Sequence, residues 1–202
     1  ISQPPGSPTE KVEAFVWRAD TGMVGLGCGE GGSSTWANDV SWLGGTVIGG
    51  SSAPESSAVY WQHYPGGWSP TVIPASGSTA AEALGISDYR GNAIVGWAEV
   101  DGHKQAFRYE FPVGLLPSRF EWLTVGPPDS KACDVAKGPM YDPYVSAGTS
   151  GGMPTRWVDT SRQELPLPPG ATGGGLTGIT PDEKTMIGWA TFPVGSNEVD
   201  LA

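Results

Sequence analysis

Short apolar phrases recur along this chain at a nearly constant spacing. The first alternates small and bulky residues, as in Ala14-Phe15-Val16-Trp17. Its last aromatic residue advances by 44, 48 and 48 positions, through Trp17, Trp61, Tyr109 and Trp157. A second phrase carries a β-branched anchor at Val40, Ile86, Val135 and Ile179, and a third ends in glycine at Gly49, Gly96, Gly148 and Gly188. Phrases in constant order at one period indicate an internal repeat.

Each repeat has room for about four short strands, here lettered a to d, and for no helix. Strand a is the first phrase, and strands c and d are the second and third, joined by a turn such as residues 88–92. Strand b is a short run, expected at 23–26, 71–73, 122–125 and 164–167. The 31 glycines and 19 prolines disfavour helices. The pattern predicts an all-β, β-propeller-like array of four repeats, read as four blades.

The order of strands suggests how such a ring could close. If a blade is c-d-a-b, an unpaired a-b hairpin at 11–27 and an unpaired c-d hairpin at 176–190 would together complete the fourth blade. Joining them would remove an exposed sheet edge. Two alternatives stay open: the chain is a piece of a longer array, or a strand at 198–202 adds to an edge of its own or a neighbouring molecule. The expected organisation is a linker at 1–10, a four-repeat domain at 11–191 and a tail or extra strand at 192–202.

The nine tryptophans divide by their place in the repeat. Periodic aromatic residues are usually structural, so packing in the core or between blades is expected for Trp17, Trp61, Trp97, Trp157 and Trp189. The others have no counterpart in every repeat and are the candidates for exposed stacking platforms: Trp36, Trp42, Trp68 and Trp122.

Charge and cysteine content exclude several classes of function. The net charge is -10, so a nucleic-acid backbone or an anionic membrane would be repelled, and no apolar run approaches membrane-spanning length. Cys28 and Cys133 form no disulfide framework, and we expect no bond between them. His63 and His103 lack metal-ligand spacing, so neither a metal nor a cofactor is predicted.

Acidic residues recur in or beside the c-d turn, at Asp39, Asp88, Asp134 and Asp182. Side-chain capping of the turn is the expected role, with calcium binding or glycosidic acid–base work as the functional alternative. Gly148-Thr149-Ser150-Gly151-Gly152 matches a nucleophile-elbow pattern literally, but no helix is predicted after it and no histidine follows it. It is therefore interpreted as a loop.

The Ala-Phe-x-Trp, Gly-Ile-Ser and Val-Gly-Trp phrases, clearest between Gly85 and Tyr109, resemble the HAF-type extracellular repeats of bacterial surface and secreted proteins. The resemblance covers about residues 11–190 in weakened form. It departs most in the third repeat, where the c-d turn is enlarged to 137–143. The resemblance implies a secreted or cell-surface β-propeller-like array, and it supplies no catalytic residue to carry over.

These observations favour a non-catalytic extracellular recognition module, with carbohydrate as the expected ligand, because aromatic faces and neutral polar loops suit sugar rings. The candidate ligand-binding residues are Trp36, Trp42, Trp68, Trp122, Asn38, Asp88 and Asp142. A structural or adhesive protein that self-assembles through its terminal strands is the first alternative. A secreted polysaccharide hydrolase or lyase is the second.

Overall fold

The structure, a computed structural model, describes residues 12–27, 34–52, 56–87, 92–112, 117–125, 127–137 and 143–194. Within these ranges the chain forms strands and no helix. The strands are β1 Phe15–Arg18, β2 Gly22–Gly25, β3 Thr35–Val40, β4 Thr46–Ser51, β5 Ser57–Tyr64, β6 Gly67–Val72, β7 Ala80–Ile86, β8 Ala93–Val100, β9 His103–Glu110, β10 Arg119–Trp122, β11 Ser130–Lys137, β12 Tyr144–Ser150, β13 Met153–Val158, β14 Ser161–Glu164, β15 Gly173–Ile179 and β16 Met186–Thr191. The all-β prediction is confirmed.

The strands form three four-stranded sheets and two terminal hairpins. The first sheet runs β3-β4-β5-β6, the second β7-β8-β9-β10 and the third β11-β12-β13-β14, with every pairing antiparallel. The N-terminal hairpin is β1-β2 and the C-terminal hairpin is β15-β16. Each full sheet therefore has the predicted order c-d-a-b, while the hairpins hold an a-b pair and a c-d pair.

The predicted b strands lie a few residues too far along the chain. The observed ones, β2, β6, β10 and β14, all begin earlier than expected. In three of the four repeats a tight turn follows strand a directly, and left-handed residues such as Gly22 (φ 73°) and Asp159 (φ 52°) close it. Such turns reverse the chain within two or three residues, so strand b pairs immediately.

Strand c is irregular at one and the same place in every repeat. A register shift interrupts its pairing with strand d beside the β-branched anchor, between Ala37 and Asp39 in β3, Ala83 and Gly85 in β7, Ala132 and Asp134 in β11, and Leu176 and Gly178 in β15. The glycine that ends each third phrase lies opposite, where a Cβ would collide with a strand-c carbonyl oxygen. The shared bulge and the shared close approach of a strand-d glycine to strand c identify the repeats as copies of one structural unit.

The sheets pack face to face through strand c. The anchor Ile86 on β7 lies in one buried cluster with Ile48 of the first sheet, and Val135 on β11 lies in another with Val95 of the second. Ile179 on β15 packs with Val145 and neighbouring residues of the third sheet. Strands β7, β11 and β15 thus each cover the sheet that precedes them in the chain.

The N-terminal hairpin packs on the first sheet in the way that strands a and b of a preceding sheet would. The backbone N–H of Ala14 donates to Thr35 Oγ1 at 3.0 Å, and at the equivalent place Ala106 donates to Ser130 Oγ at 2.9 Å. Ala14 and Leu26 join the buried cluster around Trp61. These contacts place β1-β2 as the a-b half of a repeat unit.

The two hairpins do not join into a fourth sheet, and among the described residues β1 pairs only with β2 and β16 only with β15. Closure of a ring is therefore not observed, and the propeller remains a prediction. The packing in the core or between blades expected for all periodic tryptophans is wrong at both ends, because Trp17 is 64% and Trp189 52% exposed. The strand predicted at 198–202, like the linker at 1–10, lies outside the described residues.

Candidate functional site

The tryptophans predicted as stacking platforms have different surroundings. Trp42 is 78% exposed, as expected. Trp68 is only partly exposed and packs beside His63, at 5.1 Å between ring centroids. Trp122 is also partly buried, against Phe120 and the core between the first two sheets. These two rings offer little free face, because each already covers apolar neighbours.

Trp36 and Asn38 converge on a side chain of the next sheet. Trp36 Nε1 donates to Glu82 Oε1 at 2.9 Å, and Asn38 Nδ2 donates to the same oxygen at 3.0 Å. The Asn38 amide also donates to the Ala83 carbonyl at 2.8 Å. Two of the residues predicted for ligand binding therefore meet at one carboxylate, across the interface between two sheets.

A second indole completes the arrangement from the other side. Trp97, opposite Glu82 in the β7–β8 pairing, donates from Nε1 to Glu82 Oε2 at 3.2 Å. The ammonium of Lys104 lies 3.9 Å from the centroid of the Trp97 ring. We call Trp36, Asn38, Glu82 and Trp97 the Glu82 cluster. Asn38 is exposed, and the other three residues are partly exposed.

The hydrogen bonding of the Glu82 cluster decides what it can offer a ligand. A carboxylate accepts about four hydrogen bonds, so three internal donors leave roughly one acceptor position for a hydroxyl. Both indole N–H groups are used internally, which fixes the rings. Lys104 covers one face of Trp97 and Gly50 lies against the Trp36 ring, so the remaining parts of the ring faces are what a ligand could stack on. A rigid pair of aromatic rings with one free acceptor between them suits a polar ligand that has an apolar face.

The sequence interpretation missed Glu82 and assigned Trp97 to packing in the core or between blades. A signal was present in the repeat itself. Glu82 lies on strand c directly before Ala83. The equivalent position in the other repeats is occupied by Trp36, Lys131 and Gly175. A repeated position that varies this much in size and charge is typical of a surface that faces something other than the core.

The turn-capping role expected of the acidic residues is observed for Asp182 and is wrong for Asp39 and Asp134, which lie in strand c at its bulge. Asp39 Oδ1 accepts from the Val40 N–H, and Asp134 Oδ1 from the Val135 N–H, each at 2.7 Å. At Asp182, hydrogen bonds from the Thr180 hydroxyl and the Lys184 N–H lower the pKa of the carboxyl group. The predicted residues Asp88 and Asp142 lie outside the described residues. Across the described ranges, no group of three His, Cys, Asp or Glu side chains could hold a metal ion.

Asp39 and Asp134 also bind the next repeat. Asp39 Oδ2 accepts from the Ile86 N–H at 3.0 Å, and Asp134 Oδ2 accepts from the Ile179 N–H at 2.8 Å. Glycine, at Gly85 and Gly178, takes the place of aspartate in the other two repeats. Gly85 lies close against the Cys133 carbonyl, where no Cβ would fit. The interfaces between repeats therefore alternate between two types.

Two further sequence expectations concern reactive side chains. Cys133 carries a free thiol whose pKa is raised, chiefly by burial, and Cys28 lies outside the described residues. Ser150, in the segment interpreted as a loop, ends strand β12 and is fully buried. It is therefore not placed to act as an exposed nucleophile.

A groove separates the N-terminal hairpin from the first sheet. It has a volume of about 720 Å³ and is lined by residues 15–20, 37–44 and Val47. Trp17, Val40, Trp42 and Leu43 in its lining are 64%, 48%, 78% and 79% exposed. We call it the seam groove, because it lies where a strand d would be inserted beside β1.

No family model matches the chain, and no curated protein shows significant similarity to it. The resemblance to HAF-type repeats therefore stays a prediction. No helix within the described ranges is long and apolar enough to cross a membrane.

Proposed function

We propose that this chain is an extracellular, non-catalytic recognition module built from β-propeller blades, and that it binds neutral carbohydrate at the Glu82 cluster. The observation that carries the proposal is the convergence of Trp36, Asn38 and Trp97 on the Glu82 carboxylate. The arrangement combines two fixed indole rings with a polar anchor at an accessible interface between sheets.

Sugar rings match this chemistry. One face of a pyranose carries C–H groups that pack on an indole, while its hydroxyls need acceptors such as a carboxylate oxygen. The net charge of -10 disfavours polyanionic ligands, so a neutral polysaccharide is the preferred class. A shallow site of this kind would bind a single sugar weakly, near the millimolar range, or about -4 kcal/mol.

The blade assignment rests on the repeated geometry. Three antiparallel sheets have the same strand order and the same bulge in strand c, and strand c of the second and of the third sheet packs on the preceding sheet in the same way. The terminal hairpins supply the two halves of a further blade. Radial repetition of such units is the principle of a β-propeller, and repeated blades are a common scaffold for ligand sites at their interfaces.

The test is a titration of neutral polysaccharides followed by tryptophan fluorescence and by calorimetry. Glu82→Gln retains the shape of the side chain but weakens its acceptor strength and releases its hold on both indoles. We expect this variant and Trp97→Ala each to weaken binding at least about tenfold, consistent with the loss of one charged hydrogen bond or one stacking face.

Trp42→Ala is the matched control, because Trp42 is the most exposed of the predicted aromatic residues and lies in the seam groove instead. It should leave binding at the Glu82 cluster unchanged. Absence of a response to every neutral polysaccharide, or an equal loss in the Trp42 and Trp97 variants, would remove the support for this site.

A structural or adhesive role is the second candidate. It is favoured by one specific observation, the exposure of apolar side chains on both terminal hairpins, including Phe15, Trp17, Ile187 and Trp189. Large exposed apolar patches on soluble proteins commonly mark interaction surfaces. Assembly and ligand binding are compatible, since the Glu82 cluster lies between the first two sheets and not on the hairpins.

A further inference from the structure

Strand β3 and both terminal hairpins expose side chains whose equivalents are buried between complete repeats. At the anchor of strand c, Ile86, Val135 and Ile179 are 3%, 3% and 9% exposed, whereas Val40 is 48% exposed. On strand d, Ile48, Val95 and Ala147 are fully buried, whereas Ile187 is 65% exposed. The positions are equivalent because each strand-d residue lies opposite the residue that precedes the anchor.

Strand a shows the same contrast. Trp61, Tyr109 and Trp157 are 0%, 5% and 0% exposed, whereas Trp17 is 64% exposed. Each of the three buried rings faces the preceding unit, and in each full sheet its strand also pairs with strand d. β1 has no strand d beside it among the described strands. The exposed residues on the N-terminal hairpin and on β3 thus lack a neighbouring strand d, and the C-terminal hairpin carries such a strand, β16.

We infer that the seam groove is the docking site for the β15-β16 hairpin of a second copy of this chain, so that β16 of one copy pairs with β1 of the other in a composite blade. The inference rests on the blade assignment proposed above and is independent of the carbohydrate proposal. Within one chain, β16 does not pair with β1 among the described strands, and Val40, Trp17 and Ile187 stay exposed, so we assign the groove to the hairpin of a second copy.

The register of the composite pair follows from the complete sheets. Gly49 lies opposite Val59, Gly96 opposite Phe107 and Gly148 opposite Thr155. The equivalent residues at the ends are Gly188 and Phe15, which places Ile187 opposite Val16 and Met186 opposite Trp17. In this register Ile187 would face Val40, as Ile48 faces Ile86 within the first core cluster.

The alternation of interfaces fits the same junction. The interface between the second and third sheets brings Gly85 close to the Cys133 carbonyl and Asp134. The junction between copies would bring together Gly178 of one copy and Asp39 of the other, a pair of the same type. Each copy offers one hairpin and one groove, so two copies related by a twofold axis satisfy both ends. The expected assembly is a closed dimer.

The oligomeric state provides the first test. Light scattering and native mass spectrometry of the full chain should show a dimer. Val40→Glu and Ile187→Glu should each raise the dimer dissociation constant at least about a hundredfold, because both junctions would bury an unpaired carboxylate. Val72→Glu is the control, since Val72 is 59% exposed on the outer strand β6 and lies outside the groove. A monomeric native chain, or equal effects of all three variants, would overturn the inference.

Cross-linking then identifies which copy supplies the hairpin. In a background with Cys28→Ser and Cys133→Ser, one population carries Val16→Cys and the other Ile187→Cys. Mixing them should give a covalent dimer under oxidation, because residues directly opposite on antiparallel strands meet the spacing of a disulfide. Arg18→Cys mixed with Ile187→Cys is the off-register control and should cross-link several-fold less.

A single chain carrying both Val16→Cys and Ile187→Cys distinguishes closure within one chain from exchange of the hairpin between two copies. If its disulfide forms within one chain and the product is monomeric, the hairpin closes onto its own groove and the second-copy inference is wrong. Failure of the dimer would not affect polysaccharide binding by the Glu82 cluster, and failure of ligand binding would not affect the cross-link.

Discussion

Trp61 and Trp17 occupy the same place in strand a, yet one is fully buried and the other is 64% exposed. Trp61 has a strand d on one side and the N-terminal hairpin against its face, with Ala14 and Leu26 in its cluster. Trp17 pairs through β1 with β2 alone. The comparison shows that equivalent residues of the repeat are buried only where neighbouring strands and repeats cover them, as expected for quasi-one-dimensional repeat proteins.

The largest expected effect tests this contrast directly. Trp61→Ala and Trp157→Ala should each lower the free energy of unfolding by about 3–5 kcal/mol, because a large ring is removed from a closed core. Trp17→Ala, measured by urea unfolding at a concentration where the chain is monomeric, should cost less than about 1 kcal/mol. Similar losses in all three variants would mean that the terminal hairpin is as well packed as the interior.

The glycines of strand d sharpen the comparison. Gly148→Ala should destabilise by about 1–3 kcal/mol or more, because the added Cβ collides with the Lys131 carbonyl in the middle of the third sheet. Gly188→Ala creates the same collision in the C-terminal hairpin, and we expect a smaller loss of global stability because the hairpin can separate without unfolding the sheets.

Gly45→Ala is the control for this pair, since nothing lies within 4 Å of its Cβ position. It should be neutral or slightly stabilising. Denaturant unfolding ranks the three variants by their free energy of unfolding. An equal loss in the Gly188 and Gly148 variants would show that the C-terminal hairpin unfolds together with the sheets.

Removal of an inter-repeat hydrogen bond should have a more modest effect. Asp134→Ala deprives the Ile179 N–H of its acceptor and should lower the free energy of unfolding by about 1–2 kcal/mol. Asp182→Ala is the control, since this carboxylate bonds only within its own turn among the contacts described. Thermal unfolding would distinguish them, and a larger loss for the Asp182 variant would contradict the assignment of Asp134 as a link between repeats.

The smallest expected effect concerns pH. Burial, followed by a hydrogen bond with Tyr109, raises the pKa of Tyr60 from 10.0 to about 12. The folded protein thus holds this proton more tightly than the unfolded chain does. The resulting contribution to stability is complete below pH 10 and is lost as the pH rises towards about 12.

Absorbance titration at the phenolate band checks this expectation. Tyr60→Phe should remove the late phase, whereas Tyr64→Phe, at a side chain 51% exposed on the same strand, should leave it in place. A late phase that survives in the Tyr60 variant would assign the raised pKa to another tyrosine.

Much of the fold could be read from the pattern of residues. The anchors Val40, Ile86, Val135 and Ile179 mark the same step of strand c in all four repeats, and the strand order of the full sheets matched the prediction. The b strands were misplaced because a tight turn depends on one or two left-handed residues, and apolar periodicity does not reveal them.

The candidate site was only half predictable. Trp36 and Asn38 stand out as polar or aromatic residues without a counterpart in each repeat, but their partner Glu82 lies 46 and 44 positions away in the next sheet. Neither composition nor spacing connects residues across an interface between repeats. Trp97 was assigned to packing in the core or between blades because its phrase recurs, but the recurrence gave no sign that its indole N–H donates to a carboxylate at a partly exposed junction.

By itself, the sequence determined the period, the all-β class and the order of strands within a repeat, because alternation, turns and close-approach glycines act over short distances along the chain. Tertiary structure alone decided which equivalent residues are buried and which carboxylate receives both indoles, because burial and hydrogen bonding across sheets depend on which neighbour is present. Trp17 and Trp157 have the same local pattern and opposite surroundings, because Trp157 lies beside a strand d and packs on the preceding sheet, whereas β1 pairs only with β2 among the described strands and leaves Trp17 exposed.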